Sequence, residues 1–167
     1  MTKRNVMISI TTSRQMIAEG LFDGQGDADD FEDWDEGESS GPEEMLVEGK
    51  LVTSEQRVEL LYEESELSGM LGSVTTIGFA RNAPELISMN RTGTVLTSLV
   101  FEAGKRHFSV YDTPLSSFQV CVRTLRVENR LLSEGKLEIE YLIEIHGAQA
   151  ERCEMSIAVR EAKNLFD

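Results

Sequence analysis

The chain has 167 residues, of which 40% are hydrophobic, and a formal net charge of −14. This size and composition predict one domain with a buried core. The acidity argues against a nucleic-acid partner, because phosphates would be repelled, and no apolar run approaches the ~18 residues that a membrane-spanning helix needs. With no signal-peptide pattern and only two cysteines, Cys121 and Cys153, we expect a cytoplasmic protein with reduced thiols and no membrane partner.

The acidic residues are concentrated near the N-terminus. The segment from Leu21 to Glu44 contains eleven Asp and Glu residues and no Lys or Arg. Such a charge-dense run, which also holds Gly, Ser and Pro, has little apolar surface to bury. We therefore predict that residues 14–44 form a flexible acidic insertion between the first two strands of a single domain spanning residues 1–167.

The first half of the chain contains several short strand patterns. The runs "NVMISITTS", "MLVEGKLVT" and "VTTIGFA" are apolar and are separated by turn signals. The stretch "RVELLYEE" also fits a helical turn, but Val58, Leu60 and Tyr62 recur at every second position, which favours a strand. In a strand, Glu63 and Glu64 then point to opposite faces.

Two tight turns are predicted next. Glycine is available for a positive φ in "NRTG", residues 90–93, and in "EAGK", residues 102–105. The strand that follows "EAGK" places His107, Ser109 and Tyr111 on one face and Phe108 and Val110 on the other. The sequence does not say which of these faces is buried.

The last third of the chain has the clearest alternation. In "GKLEIEYLIEIHG" one face carries Leu137, Ile139, Tyr141, Ile143 and Ile145, and the other carries Glu138, Glu140 and Glu144; "RCEMSIAVR" repeats the pattern. In "SFQVCVRTLRVEN" the apolar positions change phase, which predicts a β-bulge near Arg123 and Thr124. These elements predict an all-β protein, either an antiparallel up-and-down β-barrel of eight to ten strands or a β-sandwich.

Several landmarks occur in a distinctive order. They are "YEESE" from Tyr62, "TT" at Thr75 and Thr76, "NRTG" from Asn90, "FEAG" from Phe101, "YDTP" from Tyr111 and a Gly-x-Leu-x-Ile-x-Tyr strand from Gly135. In this order they resemble the YwiB-like family of uncharacterised bacterial proteins, over roughly Met45 to Glu161. The resemblance implies a calycin-like barrel of lipocalin-like shape, and it implies no established activity.

These patterns support two hypotheses about function. The first is that the barrel binds a small, partly apolar molecule in its lumen, with His107, Ser109 and Tyr111 as polar contacts. The resemblance adds Tyr62 and Arg91 to these candidates, because both lie at family landmarks. The second hypothesis is a non-catalytic interaction or regulatory module that uses loops and the acidic insertion.

Catalytic, metal and cofactor sites are not predicted. The chain has only two histidines, His107 and His146, and neither has cysteine partners at ligand spacing. Neither cysteine has an evident adjacent base. We therefore expect no catalytic residue, no bound metal and no cofactor.

Overall fold

A computed structural model of the protein describes residues 1–17, 39–64, 71–145 and 150–162. Within these ranges the chain forms ten strands and one short helix. The strands are β1 (Thr2–Met16), β2 (Ser39–Thr53), β3 (Arg57–Glu63), β4 (Val74–Ala80), β5 (Ala83–Thr92), β6 (Thr97–Glu102), β7 (Arg106–Asp112), β8 (Ser117–Arg130), β9 (Lys136–Ile145) and β10 (Glu151–Glu161), and the helix is α1 (Leu131–Glu134). In the described ranges, no helix has the length and apolar character needed to cross a membrane.

All ten strands form a single antiparallel sheet. Their order is β6-β5-β4-β3-β2-β1-β10-β9-β8-β7, so neighbours in the sheet are neighbours in sequence except at β1 and β10, which pair with each other. The two outermost strands, β6 and β7, are consecutive in the chain and lie side by side. The sheet therefore curls into a nearly closed up-and-down barrel, which confirms the barrel prediction over the sandwich.

Closure is incomplete at the contact between β6 and β7, which we call the seam. Both strands are described in full, and they form no continuous ladder with each other. At one end, the backbone N–H groups of Leu96 and Asp112 each donate to the other residue's carbonyl, at 2.9 and 2.8 Å. Further along, the Ser109 hydroxyl donates to the Ser98 carbonyl. A few isolated bonds thus replace the ladder that joins the other strands.

Inward-facing side chains fill much of the barrel with a continuous hydrophobic core. On β3, Val58 and Leu60 are fully buried, and Leu60 lies opposite Leu51 on β2 and Ile77 on β4. At the end of the barrel where β8 ends and β9 begins, α1 contributes Leu131 to the core. We call this region the apolar half, and its inward residues include Val58, Leu60, Ile77, Phe79, Ile87, Leu131 and Leu137.

The predicted irregularity in β8 is present. The register of β8 with β9 shifts between Thr124 and Arg126, next to the predicted positions. Val122 and Val127, on either side of the shift, both pack against the core, so the phase change in the sequence keeps apolar residues inward. A bulge of this kind bends a strand, as closure requires.

Both cysteines are free and buried, as predicted. Cys121 lies on the outer face of β8, in a second hydrophobic cluster with Ile17, Leu142 and Ala150. Burial raises the pKa of the Cys121 thiol, and burial raises the pKa of Cys153 to about 11. Both thiols are therefore protonated near neutral pH, which slows their reaction with electrophiles.

The predicted turn over residues 90–93 is wrong for its first three residues. β5 continues to Thr92, because Arg91 is paired on one side with Thr75 of β4 and on the other with Thr97 of β6. The turn begins at Gly93, which has a φ of 111°. Arg91 is therefore held inside the sheet and does not lie in a solvated turn.

The strands also extend into the range assigned to the acidic insertion. β1 continues to Met16 and β2 begins at Ser39, with Gln15 paired to Ser39. The backbone ladder between β1 and β2 continues past a register shift between Thr12 and Arg14. The centre of the insertion, residues 18–38, lies outside the described residues, so its flexibility stays a prediction.

Candidate functional site

The inward side chains change from apolar to polar at one end of the barrel. This polar end is formed where β3, β5, β7 and β9 finish and where β4, β6, β8 and β10 start. Five inward-facing residues meet there, and we call them the polar cluster: Tyr62, Glu64, Thr75, Arg91 and Tyr111. They come from three adjacent regions of the barrel wall, around β3, β4 and β5, and from β7, which lies beyond β6.

Strand alternation places these residues. Along β3, the buried positions Val58, Leu60 and Tyr62 recur every second residue, and Glu64 is the next position in that series. The Glu64 N–H donates to the Ser73 carbonyl at 2.8 Å, so the β3–β4 pairing continues beyond the strand. This backbone bond points the Glu64 side chain inward, while Glu63 is exposed. The two side chains thus lie on opposite faces, as predicted.

Glu64 is the centre of the cluster. Its residue is only 4% exposed. Its Oε1 accepts a hydrogen bond from the Thr75 hydroxyl at 2.5 Å and lies 3.4 Å from Nε of Arg91. Its Oε2 is buried and has no partner of good hydrogen-bond geometry among the described residues, although the Tyr62 hydroxyl lies close to the carboxylate and interacts with it. A buried carboxylate with one oxygen unpaired is costly, and such a group calls for an explanation.

Arg91 connects the two sides of the cluster. Its Nη1 donates to the Tyr111 hydroxyl at 2.6 Å, and its Nε contacts both Glu64 and Thr75. Burial alone would lower the pKa of Arg91. The electrostatic effects of Tyr111, Tyr62 and Glu64 together exceed the effect of burial, so the pKa of Arg91 is raised. Arg91 therefore stays charged and holds β3, β4 and β7 together at this end.

Tyr62 is buried beside this ion pair. Burial, followed by the negative charge of Glu64, raises the pKa of Tyr62 to about 12. On the neighbouring strand it lies opposite Gly49, where a Cβ atom would come within 2.5 Å of Cδ1 of Ile8 and 3.3 Å of Cβ of Tyr62. The glycine thus leaves the space that the Tyr62 side chain and Ile8 occupy.

The third tyrosine of the chain, Tyr141, lies across the barrel from Tyr62. Its ring packs against Phe101, with 4.8 Å between the ring centres. Burial raises the pKa of Tyr141, and the charges of Arg14 and Arg91 both reach it. All three tyrosines therefore surround Arg91, while Arg14 is exposed at the rim of the polar end.

Two further buried hydroxyls lie on the same inward face. Thr97, on β6, is opposite Arg91, and Thr124, on β8, is opposite Tyr141. Both side-chain oxygens are buried without a hydrogen-bond partner in the part of the chain that the structure describes. Buried hydroxyls are usually paired with protein, water or ligand, so these two atoms and Glu64 Oε2 mark unused hydrogen-bonding capacity.

Three of the five residues proposed from the sequence, Tyr62, Arg91 and Tyr111, come together in the cluster. The other two do not. His107 lies 3.3 Å from the carboxylate of Glu102 near the opposite end of β7, and Ser109 bonds across the seam. His107, Ser109 and Tyr111 lie on the less exposed face of β7. On the opposite face, Phe108 is 59% exposed.

Glu64 and Thr75 also belong to the site, and neither was predicted from the sequence. Continuing the β3 alternation by one step would have put Glu64 inward. That signal was obscured because Glu64 belongs to the acidic run "EESE", which is typical of a solvated strand end. His146, the other histidine considered, lies outside the described residues.

A separate groove lies on the outer face of the barrel. Its volume is about 500 Å³, and its walls include Asn5, Lys50, Leu61 and Val74. Tyr62 contributes to it, but Glu64 and Arg91 do not.

No group of three His, Cys, Asp or Glu side chains able to hold a metal ion is found among the described residues. The polar cluster is therefore a hydrogen-bonding site with one compensated ion pair.

Comparison with known proteins agrees with this architecture. The crystal structure of the YwiB protein from Bacillus subtilis superposes with a TM-score of 0.64, at 14% identity, over 96% of this chain and 94% of that one. At this identity the likeness shows a shared fold. A search of curated proteins gave no match. Residues 32–157 match the family model described as a domain of unknown function, DUF1934. The chain therefore belongs to the DUF1934 family, in agreement with the landmarks in its sequence.

Proposed function

We propose that this protein binds a small molecule at the polar end of its barrel. The observation that carries the proposal is Glu64, a nearly fully buried carboxylate whose Oε2 has no partner of good hydrogen-bond geometry among the described residues. An orphaned buried acceptor costs free energy that a bound donor would recover. Small barrels, of about eight strands, either fill with side chains or hold one small ligand, and this barrel has ten strands.

The position of the cluster supports the same proposal. The apolar half is packed with buried aliphatic and aromatic side chains, whereas the polar end combines aromatic rings with a few convergent polar groups. Mostly apolar walls with few precisely placed polar groups are typical of ligand sites. The ligand is thus expected beside Glu64, Arg91 and Tyr111, and the protein is expected to meet it in the cytoplasm.

Native mass spectrometry of protein purified from its own host tests the proposal. Three proteins are compared: wild type, Glu64→Gln and Glu63→Gln. Wild type and Glu63→Gln should carry one added small-molecule mass, because Glu63 is exposed on the opposite face of β3. Glu64→Gln should lose most of that mass, since it removes the charged acceptor but keeps the side-chain size.

Two results would contradict the proposal. The first is a wild-type protein that carries no added mass and whose unfolding temperature does not change when a metabolite extract from the same host is added. The second is an added mass retained equally by Glu64→Gln. Far-ultraviolet circular dichroism of the three proteins checks that the substitutions leave the strand content unchanged.

Exposed apolar side chains favour the second hypothesis, an interaction module. Leu71, Leu96 and Leu115 lie on three connections at the polar end, and Leu115 is 97% exposed. Exposed apolar residues that lie together can form a protein contact surface. On this hypothesis a tagged protein co-purifies with a stoichiometric partner that Leu115→Ser loses. Leu132→Ser, in α1 at the other end, is the control and should keep the partner.

A further inference from the structure

Part of the outer wall of the barrel is buried, although the outer face of a barrel normally meets solvent. On β8 and β9, Cys121 and Leu142 point outward and belong to the same hydrophobic cluster, and both are 0% exposed. Glu144, the next outward residue of β9, is 8% exposed. By contrast, Leu46 on the outer face of β2 is 57% exposed. We call Cys121, Leu142 and Glu144 the covered face.

The neighbouring strands do not explain this burial. Side chains on adjacent strands stand beside an outward residue and not over it. Phe108 lies directly opposite Cys121 on β7 and is 59% exposed, and Leu115, in the connection between β7 and β8, is 97% exposed. The burial arises within a single copy of the chain. It therefore requires a further segment of the same chain over the covered face.

The ends of the described ranges indicate which segment this is. Ile17 and Ala150 are buried in the same cluster as Cys121, and the Ile17 N–H donates to the Ala150 carbonyl at 2.9 Å. Residues 146–149 only join β9 to β10, whereas residues 18–38 follow Ile17 directly. Twenty-one residues can span about 70 Å. β8 lies three strands from β1, roughly 14 Å away, so the longer segment can cross this face and return to β2.

The surface beside the covered face is complementary in charge to that segment. Residues 18–38 contain ten Asp and Glu residues, no Lys or Arg, and four large apolar residues, Leu21, Phe22, Phe31 and Trp34. Arg106 lies opposite Arg123, and Leu142 lies between Arg123 and Arg152. Neither Arg106 nor Arg123 is without an interaction partner. Like charges directly opposite each other destabilise a sheet, so carboxylates beside this row of arginines are favourable.

From these observations we infer that residues 18–38, the centre of the acidic insertion, dock on the covered face of β8 and β9. Their carboxylates lie against the row of arginines, and their apolar side chains pack over Cys121 and Leu142. This surface is outside the barrel, so the inference is independent of the proposed small-molecule site.

The two cysteines provide a test in the full-length protein. Native protein is treated with N-ethylmaleimide, and the labelling rate of each cysteine is measured by peptide mass spectrometry. Cys121 reports on the covered face, whereas Cys153 is opposite the inward residue Tyr141 and reports on opening of the barrel. High salt, about 1 M, should speed labelling of Cys121 and leave Cys153 slow, because it screens the ion pairs.

Matched charge variants identify the arginines. Arg106→Gln combined with Arg123→Gln should speed labelling of Cys121 about threefold to tenfold, since two largely surface ion-pairing groups are lost. Labelling of Cys153 should not change. Arg4→Gln combined with Arg160→Gln removes the same charge from exposed positions at the other end of the barrel and should leave both rates unchanged.

Replacing residues 18–38 by Gly and Ser residues of the same number removes the occupant. Cys121 should then react at least as fast as in the double arginine variant, while Cys153 stays slow. If Cys121 stays protected, the turn between β9 and β10 covers this face and the inference is overturned. Wild-type Cys121 that reacts as fast as in urea-unfolded protein overturns it as well.

A cross-linking experiment decides if the replacement variant unfolds, which equal labelling of both cysteines would reveal. Arg123→Lys keeps the charge and adds an amine that a carbodiimide joins to carboxylates in contact with it. Position 123 should cross-link to peptides of residues 18–38, whereas Arg160→Lys should not. Absence of the first cross-link, or equal cross-linking from both positions, overturns the docking on this face.

Discussion

The two ends of the barrel interior solve the same packing problem differently, and β3 contributes to both. Its buried residues Val58 and Leu60 belong to the apolar half, whereas Tyr62 and Glu64 belong to the polar cluster. Burial of aliphatic side chains stabilises a fold with no geometric demand beyond shape, at roughly 25 cal/mol for each Å² removed from water. The polar cluster must satisfy every buried donor and acceptor, and among the described residues it does not.

This difference indicates that the polar end is not optimised for stability. Replacing a buried ion pair by apolar residues of similar volume is often neutral or stabilising, because desolvation offsets much of the Coulomb attraction. The proposed ligand binding would give a reason to keep a buried Glu64–Arg91 pair that folding alone does not supply. The substitutions below measure how far the two ends differ.

The largest effect is expected in the apolar half. Leu60→Ala leaves a cavity among side chains that are fully buried, and it should lower the free energy of unfolding by about 4 kcal/mol. Urea denaturation at neutral pH measures it. Leu61→Ala, one residue on and facing outward, should cost about 1 kcal/mol or less. Equal losses at the two positions would contradict the inward orientation of Leu60.

Breaking the ion pair from one side should have the next largest effect. Arg91→Met leaves Glu64 buried without its counter-ion, which should cost about 3 kcal/mol, at the low end of the known range because the Thr75 hydroxyl still donates. The double variant Glu64→Leu with Arg91→Met should recover most of this loss. A single variant as stable as the wild type would show that Glu64 is not desolvated.

Tyr62 should make stability depend on alkaline pH. The pKa of Tyr62 is raised from 10.0 to about 12, so the unfolded state ionises first. The stabilisation is fully present below pH 10 and is lost as the pH rises to about 12, amounting to roughly 2 kcal/mol. Cys153 and Tyr141 titrate in the same direction, since burial raises the pKa of both, and wild type is therefore compared with Tyr62→Phe.

The comparison isolates the contribution of Tyr62. Between pH 10 and pH 12 the free energy of unfolding should fall more steeply for wild type than for Tyr62→Phe, by about 2 kcal/mol over the interval. Below pH 9 the two curves should run parallel. Curves that stay parallel up to pH 12 would show that Tyr62 ionises equally well in the folded protein.

Periodicity was sufficient to predict most of the fold but only part of the site. Strand alternation located β3, β9 and β10, and the phase change in β8 located its bulge. Arg91 was wrongly placed in a turn, because Asn90 and Gly93 are turn formers locally, whereas pairing on both sides keeps β5 extended. Glu64 and Arg91 are separated by 27 positions, and their contact depends on the registers of β3 with β4 and of β4 with β5, which no local pattern reveals.

The smallest expected effect comes from two buried threonines that differ in one respect. The Thr75 hydroxyl donates to Glu64, whereas the Thr97 hydroxyl has no partner among the described residues. Thr97→Val should therefore raise the free energy of unfolding by up to about 1 kcal/mol, because it removes an unsatisfied buried group. Thr75→Val is the matched contrast and should destabilise by about 2 kcal/mol, because it removes a hydrogen bond to a charged group. Urea denaturation of ligand-free protein compares the two. If Thr97→Val proves both more stable and poorer at retaining the host-derived ligand, the hydroxyl serves binding at the expense of stability, as sites selected for function often do. A loss of stability similar to that of Thr75→Val would instead mean that Thr97 is hydrogen-bonded in solution, and the polar end would then have one fewer group to offer a ligand.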